Sequence, residues 1–154
     1  VDMRSPVMFL QDVLLKIKTF GNFEVFDREG KSIHFTKKQS KQLLAYLIDK
    51  QGYPVATKEI IEDVLEKSPD DLNAAKYVST LSRNLIKDLE RAGYNDIVVR
   101  EWNTLRIAKE KLDCDYYHLM EGDSSYWHDY HNEYMKEYSW AEETNAEILH
   151  YSSR

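Results

Sequence analysis

The sequence predicts an α+β fold: a small N-terminal antiparallel sheet, a core of three helices, a β-hairpin and a helical C-terminal extension. Three observations carry that prediction. Leu72 to Gly93 (LNAAKYVSTLSRNLIKDLERAG) repeats apolar side chains at steps of three and four. Ile97 to Ala108 is two β-rich runs around a polar turn, and the first apolar runs of the chain are short and divided by turn compositions.

The elements follow in order. Leu15 to Thr19, Phe23 to Phe26 and Ser32 to Phe35 are apolar or alternating runs separated by Gly21-Asn22 and Asp27-Arg28-Glu29-Gly30, which reads as three antiparallel strands. Thr36 to Lys50 carries Leu43, Leu44, Leu47 and Ile48 at helical spacing, with Thr36 at the N-cap position and Gly52 just beyond the end. A short helix, TKEIIEDVLE, follows with Thr57 as its cap, and Ile60, Ile61, Val64 and Leu65 form its buried side. Ser68-Pro69-Asp70-Asp71 then breaks the chain before the long helix. Ile97 to Ala108 reads IVVR, the turn EWNT, then LRIA, a hairpin. Beyond it, Asp113 to Asp123 is expected to be a helix whose Tyr116, Tyr117, Leu119 and Met120 cover the core. Ser124 to Tyr138 is rich in aromatics, and Trp140 to Tyr151 offers Ala141, Ile148 and Leu149 for packing. This tail reads either as helices clamped on the core or as a dimer or polymerase-facing surface.

The long helix has two faces. Ala74, Val78, Leu81, Leu85 and Leu89 form an apolar stripe, while Lys76, Thr80, Arg83, Lys87 and Arg91 line up on another side. Such a helix is suited to a DNA major groove: Lys76, Arg83 and Lys87 would reach phosphates and base edges, and Ser79, Thr80 and Asn84 would exchange hydrogen bonds with bases. The alternative is a solvated face that keeps the protein soluble. Lys37, Lys38 and Lys41 open the first helix and would hold the DNA backbone without reading sequence. Three helices followed by a hairpin is the order of a winged helix-turn-helix, with Arg100 and Arg106 as weaker wing contacts than Arg83.

The order of segments and several motifs resemble the OmpR-type output domains of two-component response regulators, and more closely the antibiotic regulatory protein (SARP) group. TFGNFEVF, QLLAYLI and GYPVATKEII look like that family's opening from sheet through second helix, VSTLSRNL stands at its recognition helix and IVVREWNTLRI at its wing. LDCDYYHLMEGD and YHNEYMKEYSWAEE are similar to a tail found with this type of output domain, so the resemblance spans residues 15 to 150. Two positions depart from the family. Leu81-Ser82-Arg83 replaces a Leu-Arg-Arg or Leu-Arg-Lys run, and Trp102-Asn103-Thr104 fills a turn that commonly holds Gly-Tyr, where Trp102 is expected to cover the sheet. The resemblance implies sequence-specific double-stranded DNA binding by a transcription regulator in a phosphorelay. It further implies a phosphoacceptor receiver domain N-terminal to residue 1, binding as a homodimer or on tandem sites, and contact with RNA polymerase. A helical activation domain follows the winged helix in the antibiotic regulatory group, and this chain has room only for its beginning.

The 154 residues suit one winged-helix domain over 15–111, preceded by a linker or cloning remnant at 1–14 and followed by an acidic, aromatic extension over 112–154. The net charge of −6 is unevenly spread: Lys31 to Lys111 holds 15 Lys and Arg against 12 Asp and Glu, whereas residues 112–154 hold 2 against 10. A local cationic stripe still attracts phosphate, because the field decays over about 8–10 Å at physiological salt. No apolar run approaches the length of about 18 residues needed to cross a membrane, and the N-terminal stretch lacks a secretory signal, so the cytoplasm is expected. Cys114 is the only cysteine and reads as a buried structural thiol. His128, His131 and Glu133, with Asp129 between, do not make a zinc pattern. With no glycine-rich phosphate loop, nucleophile elbow or CxxC pair either, neither an enzyme, a metal site nor a cofactor is expected. The competing function is a winged-helix protein-interaction module that uses the tail and never meets DNA.

Overall fold

In the computed structural model, which describes residues 14–152, Leu15 and Ile17 face the core and Lys16 and Lys18 face out, the period-two pattern of a half-buried strand. This strand, β1 (Leu15–Lys18), pairs antiparallel with β2 (Glu24–Phe26) in the register Ile17 to Val25. The expected third strand at Ser32 to Phe35 is reduced to a single bridge between Ser32 and Phe26. After that bridge the chain is drawn off toward the helices, because the Thr36 amide and hydroxyl bond the buried carboxylate of Asp88. The residues expected as a linker at the N-terminus lie, through residue 13, outside the described residues.

The first helix, α1 (Lys38–Asp49), is buried at every position from Leu43 to Asp49. Thr36 does not cap it. Lys37 holds the N-cap position with extended backbone, and no side chain caps the first turn. Gly52 takes φ +93°, where L side chains are strained, and a Cβ there would lie 3.3 Å from that of Lys109. The chain thus turns tightly into β3 (Val55–Ala56) and then α2 (Thr57–Asp63), whose N-cap is Ala56 rather than Thr57. The long helix, α3 (Leu72–Arg91), is capped by the Asp71 carboxylate, which accepts from Asn73 N at 2.9 Å and Ala74 N at 3.0 Å. Gly93 at φ +95° closes its far end, with the Tyr94 amide donating to Leu89 O at 2.9 Å.

The predicted hairpin forms as β4 (Val98–Glu101) and β5 (Thr104–Ile107), turning on Trp102-Asn103, and β3 adds a third strand in the order β3-β5-β4. The helix expected from Asp113 to Asp123 is shorter, because its first residues belong to β6 (Leu112–Cys114). That strand runs parallel to β1 and completes the first sheet in the order β2-β1-β6. Then come α4 (Asp115–Met120), 3-10 turns at Ser124–His128 and Ser139–Ala141, and α5 (Glu142–Ser152).

Carboxylates fasten this C-terminal segment to the core. Asp115 accepts from Thr19 N, Thr19 Oγ1, Phe20 N and Tyr116 N. Glu137 accepts from Phe23 N, and Asp49 accepts from Tyr134 Oη and Thr144 Oγ1. Tyr116, Tyr117, Tyr130 and Tyr134 are buried, with Phe20 edge-on to Tyr130 and Tyr46 edge-on to Trp140. Among the described residues no helix is long and apolar enough to cross a membrane.

Candidate nucleic-acid interface

The apolar stripe of α3 is where the sequence predicts it: Ala74, Val78, Leu81, Leu85 and Leu89 are all buried. On the outward side Lys76, Ser79, Arg83 and Lys87 are exposed, with Thr80 and Asn84 half-buried beside them. Among the described residues none of these three cations is in an ion pair. Arg91 differs, since its guanidinium sits 3.1 Å from Asp88. The Thr80 hydroxyl turns back onto the Lys76 carbonyl at 3.3 Å.

Ser82 occupies the position where the resembled family carries a cation, and its side chain is buried with Oγ donating to Ser79 O at 2.9 Å. A long cation there would have no outward path. The outward cations are therefore those on the side of the helix opposite the buried stripe, at 76, 83 and 87.

The start of α1 docks on α3. Besides the Thr36 to Asp88 bonds, Ser40 Oγ donates to Leu81 O at 3.4 Å, and Lys37 Nζ lies 5.4 Å above the Tyr77 ring centroid. Lys37 and Lys38 are exposed, whereas Lys41 is half-buried and extends over Phe23 at 6.0 Å. The first turn of α1 has no acidic residue and no side-chain cap. Cations at a helix N-terminus oppose the helix dipole, at about 0.3–1 kcal/mol each. An uncapped amide row flanked by lysines is instead well suited to an anion such as phosphate.

The hairpin register separates the two wing arginines. Arg100 lies opposite Leu105 and shares its face with the buried Leu105 and Ile107, toward the helices, yet is itself exposed. Arg106 lies on the other face and pairs with Glu101 at 3.2 Å. Trp102 does not cover the sheet as expected; it is 89% exposed at the turn. The turn itself is anchored, because Asn103 O accepts from Thr57 N at 3.0 Å and Thr57 Oγ1 at 3.3 Å. From Thr57 the link continues through Lys58, paired with Asp70 at 3.5 Å, to the Asp71 cap of α3.

Elsewhere, His128, His131, Asp129 and Glu133 are exposed, and no group of three or more His, Cys, Asp or Glu among the described residues is arranged to hold a metal ion. Cys114 is buried in β6, and desolvation, aided by the neighbouring Asp115 charge, pushes its thiol pKa well up, which makes it a poor nucleophile. Sequence reasoning did not find Asp88, whose partner Thr36 is 52 positions away, nor the Lys37 to Tyr77 contact. Only an aspartate standing alone within an apolar helix face signalled the former.

No family model matches the chain, and no curated protein matches it either. Among solved structures, that of Mycobacterium tuberculosis EmbR in complex with a low-affinity phosphopeptide is similar, with a TM-score of 0.68 at 15% sequence identity. The match covers 88% of this chain and 42% of that one, so the chain spans less than half the length of its structural neighbour. At that identity the likeness establishes the shared mixed α+β fold.

Proposed function

We propose that the chain is the DNA-binding part of a transcription regulator, a winged helix-turn-helix that reads double-stranded DNA with α3 in the major groove. The observation that carries this reading is the row of exposed cations Lys76, Arg83 and Lys87, without acidic partners among the described residues, on a helix whose opposite face is core. Ser79, Thr80 and Asn84 are the base-edge groups between them. Lys37 and Lys38 at the uncapped start of α1 hold backbone phosphate, with Lys41 beside them, and Arg100 serves the wing. The fold likeness to EmbR supports a regulator of this shape.

The resemblance to OmpR-type and antibiotic regulatory proteins extends the proposal. The chain acts in the cytoplasm as the output domain of a response regulator, downstream of a receiver domain, and binds as a homodimer or on tandem sites to engage RNA polymerase. It performs no catalysis and needs no cofactor or metal. The competing interaction-module reading rests on the aromatic tail, and four of that tail's tyrosines are spent on the core.

Selection from a random duplex library tests the reading. A motif enriched by the wild type and not by Lys76→Ala/Arg83→Ala supports it. A library that stays random over repeated rounds, with folded protein, sinks it.

A further inference from the structure

Trp102 stands out among the exposed apolar side chains, because among the described residues it is the most exposed of the large hydrophobic ones and sits on a turn anchored to the helical core. The two-residue turn is clamped by two hydrogen bonds from Thr57 to Asn103 O, and Asn103 adopts φ +54°, so the indole is carried on a fixed support. A solvent-facing indole gains nothing for the isolated fold. It gains a great deal when its ring is placed against another flat apolar surface.

We propose, resting on the DNA-binding reading above, that Trp102 is an apolar wedge for the minor groove, inserted beside a base step next to the site occupied by α3. Two observations choose DNA over a protein partner. Arg100, exposed and without an ion pair among the described residues, stands two positions before Trp102 on the helix-side face of the hairpin, so the indole is accompanied by a cation suited to the groove's negative potential. The tip is also tied by the Thr57 hydrogen bonds to the start of α2, the helix that packs on α3, so one core presents both the indole and α3. Side chains inserted this way partly unstack a step and bend the duplex by about 20–90°.

Such a wedge predicts a pattern that cations do not give. Trp102→Ala should weaken binding by about tenfold, the scale of an aromatic contact with bases, and leave the salt slope unchanged because no counterion is released at an indole. Trp102→Phe should recover most of the loss. The wild type should also bend an end-labelled duplex in a fluorescence-transfer assay, and the alanine variant should bend it less. The side chain makes no core contact, so thermal melting of both variants should match the wild type.

If wild type and Trp102→Ala bind and bend the duplex alike, the wedge is wrong while the DNA-binding reading stands. If Trp102→Ala instead abolishes self-association and affects DNA only through it, the indole serves a second copy and the wedge is again wrong. A wild type that binds no duplex overturns both readings.

Discussion

The buried carboxylate of Asp88 accepts hydrogen bonds from both the backbone amide of Thr36, at 3.0 Å, and its hydroxyl, at 3.2 Å. One side chain of α3 thereby fixes where α1 begins, and with it the position of Lys37 and Lys38 relative to Arg83 and Lys87. Two clusters of cations separated by some fifty residues of sequence become parts of one rigid surface.

Asp88→Ala leaves the Thr36 donors and Arg91 without their acceptor. Hydrogen bonds to a charged group contribute about 1.5–3 kcal/mol each, so a loss of about 2–4 kcal/mol is expected in urea unfolding. A loss below about 0.5 kcal/mol, the range of ordinary surface changes, would show that Thr36 is held by something else.

Lys37→Glu/Lys38→Glu should move stability and binding in opposite directions. Acidic residues in a first turn are favourable by about 0.3–1 kcal/mol each, so melting should rise slightly while DNA affinity falls and the salt slope shrinks by about 2. The preferred DNA sequence should not change, because backbone contacts carry no sequence information. Equal affinity for the variant would remove these lysines from the interface.

Asp49 is buried and has its pKa raised, first by desolvation, although the Thr144 and Tyr134 hydroxyls and Lys50 pull it down. A carboxyl whose folded pKa lies above the unfolded value of about 3.9 gives stability that is fully present below that value and lost as pH rises through the folded pKa. Asp49→Asn keeps the Oδ1 acceptor for both hydroxyls and removes the charge. It should melt at an equal or higher temperature than the wild type near neutral pH, with the difference closing toward about pH 4. A lower melting temperature at neutral pH would mean that the ionised form is the better partner.

Asp115→Ala removes the acceptor of four donors, three of them on Thr19 and Phe20 at the end of β1. Buried donors left unpaired cost about 1–3 kcal/mol each, so a loss of at least about 3 kcal/mol is expected. Limited proteolysis should then release the segment after β6 first. Intact protection of that segment in a destabilised variant would contradict its fastening through Asp115.

What the sequence reveals follows from how local each pattern is. The two faces of α3 and the hairpin are visible because their periods repeat within a few residues. The pairing of Leu15 with Leu112 is not, since a parallel contact between strands nearly a hundred positions apart leaves no local mark. Two-residue β3 is too short to show alternation. Thr36 is a sound N-cap candidate by composition, and it misleads by one position because Asp88 claims its hydroxyl. The candidate cations of α3 were legible for the same periodic reason, whereas the exposure of Trp102 depends on packing that spacing cannot reveal.

Fluorescence anisotropy across about 50–200 mM salt, where counterion release is visible, decides whether α3 meets duplex DNA. The wild type should bind a mixed duplex pool with log K falling against log salt at a slope of about −4 to −5, as for about five neutralised phosphates. Arg83→Glu/Lys87→Glu, both at exposed positions, should remain folded and lose that binding. Equal binding by the variant, or none by folded wild type at the lowest salt and at concentrations that permit dimers, would show that α3 does not hold DNA.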